Sequence, residues 1–229
     1  MRLVLFDIDG TILTARGAGR RALAAALTEV YGTAGDIERY DLRGRTDPRI
    51  VYDLMEGAGL DRAAVRERLG DCFEAYARGL AAEIGDGSAV VTHPGIAELV
   101  RRLDGSTEAV VGLLTGNIEV GAHIKLEPTG LRPYFRLGAY GSDHLDRRQL
   151  PSLAARRAQA LTGHGFLPET VLVIGDTPHD IECARHFGAT AVAVATGQYP
   201  LDELTALRPD LLFSDFSDVE AALAKLLSR

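Results

Sequence analysis

Cysteine is scarce in this chain: Cys72 and Cys183 are the only two in 229 residues. They fall in patterns that read as separate helices and cannot build a disulfide framework, so both are expected as small buried apolar side chains in a protein of the reducing cytoplasm. Long apolar runs are also missing. No stretch approaches the roughly 18 residues that suggest a bilayer span, and the N-terminus enters a strand-like pattern without a basic segment and apolar signal core, so neither membrane insertion nor export is expected. There is no basic excess either, because the formal charge is −7; a dedicated nucleic-acid surface would need one. Clustered histidine or cysteine ligands, internal repeats and long low-complexity tracts are absent, which disfavours zinc and solenoid architectures.

What is present is an ordinary globular composition, 46% apolar and 25% charged, in a chain long enough for one large domain or two small ones. Continuous apolar runs recur at 3–8 (LVLFDI), 109–115 (AVVGLLT), 170–176 (TVLVIGD) and 190–196 (TAVAVAT). Runs of that kind suit strands of a parallel sheet covered on both faces. Helical patterns lie between them at 94–103, 117–126, about 150–162, 178–187 and 218–227. The alternation predicts an α/β fold with a doubly wound, Rossmann-like parallel sheet. Residues 17–84 break the alternation and look helical throughout. A helical cap over 14–90 is therefore expected, inserted into a core of 1–13 and 91–229 and bounded by TARGAGRR and IGDGSAVVTHPG.

In an open parallel sheet, ligands bind beyond the carboxyl ends of the strands. Here those ends carry Asp7 and Asp9, then Thr115-Gly116-Asn117, then Gly175-Asp176 followed by Thr177-Pro178-His179-Asp180. Two carboxylates one residue apart repel unless a cation or a shared proton offsets the cost. An Asp-Gly turn is the ordinary explanation for Asp9-Gly10, but a helix rather than a hairpin strand is expected next. Asn117 can serve as a helix N-cap, and Thr177, Pro178 and Asp180 suit a capped first turn; Asp176 is left without such an explanation. Three strand ends presenting carboxylates or anion-binding groups at one edge point to a hard cation such as Mg²⁺, with His179 outside its ligand set.

The motifs DIDGT (7–11), LLTGN (113–117) and VIGDTPHD (173–180), in that order and with a helical insertion behind the first, resemble the haloacid dehalogenase superfamily, specifically its phosphoglycolate-phosphatase-like phosphatases. The resemblance spans essentially the whole chain. It implies Asp7 as a nucleophile forming an aspartyl phosphate and Asp9 as general acid and base. Gly10, Thr11, Thr115, Gly116 and Asn117 would serve as phosphate-binding groups. It also implies Mg²⁺ on Asp7, Asp176, the main-chain carbonyl of Asp9, and Asp180 directly or through water. An aspartate at position 9 favours phosphate esters, since the dehalogenases and phosphonatases of the superfamily lack it.

The chain departs from the family in its charge-balancing residue, usually a lysine. Its only lysines are Lys125 and Lys225. Lys125 follows Asn117 by eight residues, about 12 Å along a helix, and is expected at the far end complementing the helix C-terminus. That leaves Arg147, whose following residues fit the family's arginine pattern, or Arg148. In the cap, Arg43, Arg45 and Thr46 of DLRGRTDPRI are candidates to touch the leaving group, although Thr46 also suits an N-cap. The expected partner is a small phosphorylated metabolite, with no nucleic acid and no membrane, and the protein is expected as a cytoplasmic monomer or homodimer. Two further readings are a phosphoglucomutase-type phosphotransferase and a catalytically silent binding protein.

Overall fold

The computed structural model describes residues 1–228. Its elements, in chain order, are β1 (Arg2–Phe6), β2 (Leu13–Thr14), α1 (Ala18–Tyr31), α2 (Asp47–Gly57), α3 (Arg62–Glu67), α4 (Leu69–Ile84), β3 (Val91–Thr92), α5 (Ile96–Asp104), β4 (Ala109–Leu114), α6 (Glu119–Leu126), β5 (Gly138–Ala139), α7 (Leu150–Thr162), β6 (Val171–Gly175), α8 (Pro178–Phe187), β7 (Thr190–Val194), α9 (Leu201–Ala206), β8 (Leu211–Phe213) and α10 (Val219–Leu227). Six of the strands form one sheet in the order β5-β4-β1-β6-β7-β8, and every neighbouring pair is parallel. The α/β class and parallel sheet expected from the sequence are the observed fold. Among the described residues no helix is long and apolar enough to cross a membrane.

The four apolar runs are continuous because each strand buries both faces. In β1, Val4 and Phe6 enter one apolar cluster while Leu3 and Leu5 enter the other, as a two-residue side-chain period requires. One face is covered by α7, α8 and α9 through residues such as Ala154, Ile181 and Leu204. The opposite face is covered by α5, α6 and α10, and its cluster continues into α1, α2 and α4 through Leu27, Met55 and Leu80. Cys72 and Cys183 are buried free thiols in these two clusters, one on each side, and burial pushes both thiols up to about 12. That is the inert behaviour of structural cysteine.

Asp9-Gly10 does open a tight turn, contrary to the sequence expectation. The Gly10 N–H donates to the Leu13 carbonyl at 2.8 Å, and the two-residue strand β2 follows rather than a helix. β2 pairs antiparallel with β3, Leu13 opposite Thr92 and Thr14 opposite Val91, so the chain leaves towards α1 and returns from α4 through one ribbon. Between them, residues 33–46 are loop rather than continuous helix.

Candidate active site

Because β1 lies between β4 and β6 in the sheet, the loops that follow these strands converge at one edge. Asp7, Asp9, Thr115, Gly116, Asn117, Arg147 and Asp176 line a common cavity of about 370 Å³, closed from the other side by Arg43, Gly44, Arg45 and Asp47. Asp7, Asp176 and Asp180 are all buried and each offers a carboxylate oxygen within 4.8 Å of the others. Gly10 adopts φ +84°, and a methyl group there would overlap the Asp176 carboxylate, so glycine is required both by the backbone and by the close approach.

Arg147 is the cation of this cluster. One Nη2 lies 2.6 Å from Asp180 Oδ1 and 3.3 Å from Asp7 Oδ1, and it also donates to the Leu114 carbonyl. Arg147 sits on a short 3₁₀ turn at 147–149 whose N-cap, Asp146, accepts from the Arg148 N–H, and Cys183 Sγ donates to the Arg147 carbonyl. Arg148 points outward to Asp146 and Glu182. Burial works against the Arg147 charge, but Asp180 and Asp7 outweigh it and raise the pKa. Burial likewise pushes Asp7 up to about 6 despite Arg147, with Asp180 and Asp9 adding to the rise. Asp176 is pushed up to about 8 by burial and by the neighbouring charges of Asp180 and Asp7.

Three buried carboxylates against one guanidinium leave two negative charges uncompensated, and every donor atom in the cluster is a hard oxygen. Those residues fit a divalent cation of the magnesium type. Asp9 does not join the carboxylate cluster; its side chain turns to other partners, so any part in metal binding falls to its main-chain carbonyl. His179 lies outside the cluster, 3.8 Å from Glu182.

The phosphate-binding candidates divide. Thr115 Oγ1 accepts from the Asn117 N–H at 3.3 Å and from Asn117 Nδ2 at 2.8 Å, which fills its lone pairs and leaves its single proton to donate. The Gly116 N–H makes no hydrogen bond among the described residues, while the Gly116 carbonyl accepts from the Asp47 N–H. Thr11 and Gly10 stand differently from expectation. The Thr11 hydroxyl donates to Asp176 Oδ1 at 3.3 Å, supporting that carboxylate instead of facing the cavity, and the Gly10 N–H is spent in its turn. The Thr177–Asp180 first turn is capped by Thr177 as the sequence anticipated, and the Asp180 side chain returns a bond to the Thr177 N–H to complete a capping box.

Asn117 is not the N-cap of α6. Its amide is drawn away by Asp9, Thr115 and Lys125, and the Ile118 N–H that opens the helix instead donates to Asp47 Oδ2 at 2.8 Å. Asp47 belongs to the first turn of α2, 71 residues earlier, so the residue that precedes α6 is held from the other side of the cavity, while the helix itself has no side-chain cap. Burial pushes Asp47 up to about 6, with the Lys125 charge opposing. A folded pKa above the unfolded carboxylate value means that ionisation destabilises the fold, with the cost absent near pH 4, growing between about 4 and 6, and full above that range. Asp47→Asn keeps an acceptor for Ile118 and removes the charge, so its melting temperature at pH 7.5 should exceed the native one by a few degrees, with the gap closing towards pH 4. An equal or lower value at pH 7.5 would contradict the assignment.

The loop that leads into α2 is docked on the loops that follow β4 and β5. Thr46 caps α2 by accepting from the Arg49 N–H, and its hydroxyl donates to the Leu145 carbonyl at 2.8 Å; it is not part of the cavity wall, so the expectation of substrate contact gives way to the N-cap. Arg43 pairs with both oxygens of Asp41 and lies over the Tyr199 ring. Arg45 reaches the cavity with only a 3.6 Å contact to Asp53 and the Tyr40 face beside it.

Lys125 is the residue that sequence reasoning misplaced. Its Nζ is 2.7 Å from Asp9 Oδ2 and 2.6 Å from Asn117 Oδ1. Rise per residue measures the backbone only. Helical side chains lean towards the N-terminus, and Asn117, Gly121 and Lys125 are spaced at i, i+4 and i+8, so a stem of four methylenes recovers about half of the separation. The i+8 spacing from a motif asparagine, two helical turns along one face, was the available signal.

The sequence profile of the haloacid dehalogenase-like hydrolases matches residues 4–185. A phosphoglycolate phosphatase of Synechococcus elongatus is 30% identical over 237 aligned positions, covering 99% of each chain, and one of Salmonella typhimurium is 26% identical, covering 97% of this chain and 92% of its own. Among solved structures, a hydrolase from Pseudomonas syringae superposes with a TM-score of 0.71 at 21% identity over the full length of both chains.

Proposed function

The chain belongs to the haloacid dehalogenase-like hydrolases, and from that premise we propose that it is a Mg²⁺-dependent phosphatase acting on a small phosphorylated metabolite through an aspartyl phosphate. The observation that carries the reading is the buried Asp7, facing the cavity beside Arg147 and two further carboxylates. In the first step an Asp7 oxygen attacks phosphorus, the bond to the leaving oxygen breaks, and Asp9 gives that oxygen a proton. In the second, Asp9 takes a proton from water as it attacks the same phosphorus, releasing inorganic phosphate and restoring the Asp7 carboxylate. Thr115, the Gly116 N–H and Arg147 bind phosphoryl oxygens whose charge grows in the transition state. A divalent cation held by Asp7, Asp176 and Asp180 would neutralise the nucleophile and the phosphoryl group together.

In this reading 1–13 and 91–229 form the catalytic core and 14–90 the cap, which excludes water and touches the part of the substrate that the core does not. The scale of the cavity and the phosphoglycolate phosphatase relatives favour a small anionic metabolite such as phosphoglycolate or a sugar phosphate, handled in the cytoplasm. The test is turnover of a panel of phosphorylated metabolites and 4-nitrophenyl phosphate, with and without Mg²⁺. Loss of all activity on removing divalent cations, restored by Mg²⁺, is expected; metal-independent turnover would sink the proposal. On the same panel Arg45→Ala should lower kcat/KM for the best carboxylated or doubly phosphorylated substrate by about tenfold to a hundredfold, and hardly change 4-nitrophenyl phosphate. Equal losses on both would assign Arg45 to closure or folding.

A further inference from the structure

Lys125 is nearly inaccessible, its side chain 6% exposed, whereas the Asp9 side chain it holds is 46% exposed. A buried ammonium is costly unless its protons are accepted, and two of the three are, by Asp9 and Asn117. The α1 backbone passes close beside it: a Cβ at Gly19 would lie 3.4 Å from Nζ. Nothing in the motifs assigns this lysine a part in the chemistry.

Its partners are the informative feature. Both Lys125 and Asn117 bind the same oxygen of Asp9, Oδ2. Oδ1 has no hydrogen-bond partner among the described residues and is the oxygen left for the leaving group or water. The second acceptor matters equally: by occupying Asn117 Oδ1, the ammonium fixes which way the amide faces, because an amide turned over would set two donors against each other. Only in that orientation does Nδ2 donate to Asp9 and to Thr115 Oγ1. One buried cation therefore orients Asp9 directly and Thr115 through Asn117.

We infer that Lys125 is a positioning residue for the acid/base Asp9, holding one carboxylate oxygen so that the other faces the scissile bond. The inference rests on the proposed role of Asp9, and leaving-group chemistry separates the two. An alkoxide needs a proton as it departs; 4-nitrophenolate leaves without one. Because kcat/KM reports steps up to departure of the leaving group, it isolates that proton transfer from later hydrolysis.

The experiment compares kcat/KM for 4-nitrophenyl phosphate and for the fastest alkyl phosphate of the panel in the full-length native protein, Lys125→Met and Asp9→Asn, with melting temperatures alongside. Lys125→Met should lose about a hundredfold on the alkyl ester and about tenfold or less on the aryl ester, so the alkyl-to-aryl ratio falls, as it does in Asp9→Asn. An equal loss on both esters, or no loss, overturns the inference for Lys125 if Asp9→Asn still lowers the ratio. If Asp9→Asn leaves the ratio unchanged, the acid role of Asp9 fails and the inference with it. Should Lys125→Met not fold, Lys125→Gln, which retains a donor for Asn117 without the charge, must lower the ratio in the same direction; an unchanged ratio there also overturns the inference.

Discussion

Asp7→Asn is expected to abolish turnover, by about 10⁵-fold or more, the scale for deleting the nucleophile of a covalent mechanism. The amide reproduces the shape of the carboxylate but has no anionic oxygen to attack phosphorus. The fold should survive. Burial already pushes Asp7 up to about 6, so its ionised form is held at a cost, and removing one of three clustered carboxylates relieves repulsion with Asp176 and Asp180. The melting temperature in metal-free buffer at neutral pH is therefore expected to equal or exceed the native value. The decisive measurements are steady-state turnover and acid-quench trapping of a phosphorylated protein from labelled substrate. The native chain should yield an acid-stable, hydroxylamine-sensitive acyl phosphate and the variant none. Metal-dependent turnover above a trace in Asp7→Asn would remove Asp7 as nucleophile.

Arg147→Ala is expected to lower kcat by about a hundredfold or more, the effect of removing one donor to a developing oxyanion. Stability should fall too, because the guanidinium is the buried cation paired with both Asp7 and Asp180, and breaking a buried pair from one side typically costs about 3–5 kcal/mol. Arg147→Lys separates the effects. It restores a charge and much of the stability, but one ammonium cannot serve both the carboxylates and carbonyl that Nη2 holds and the place beside Gly116 that Nη1 occupies, so its rate should remain well below native. Arg148→Ala serves as the neighbour control: its side chain is about half exposed and pairs with surface carboxylates, and kcat should change by no more than about twofold, as expected for an exposed pair. A large loss in Arg148→Ala with a mild one in Arg147→Ala would reverse the choice between the two.

Much of the architecture was legible in the sequence because it depends on local pattern. Four continuous apolar runs specified strands buried on both faces. A polar cluster beginning at the end of each of three runs marked the edge where a parallel sheet binds ligands. The Thr177-Pro178-Asp180 start of α8 was readable because capping chemistry is confined to one turn. Strands β5 and β8, of two and three residues, left no periodicity long enough to detect.

What only the tertiary structure decided is how side chains far apart in sequence meet. Arg147 and Arg148 are indistinguishable by type and adjacent in sequence, yet the turn at 147–149 sends one into the cluster and the other into solvent. Asp47 accepts from the N–H of Ile118, the residue before α6 and 71 positions away. Thr11 supports Asp176 across 165 residues, and Lys125 reaches Asp9 across 116. The physical reason is common to all four. A side chain's type and its neighbours in sequence set what it can donate, accept or bury, but a buried charge or hydrogen bond is settled by the partner that packing brings within about 3 Å, and that distance is a property of the assembled fold.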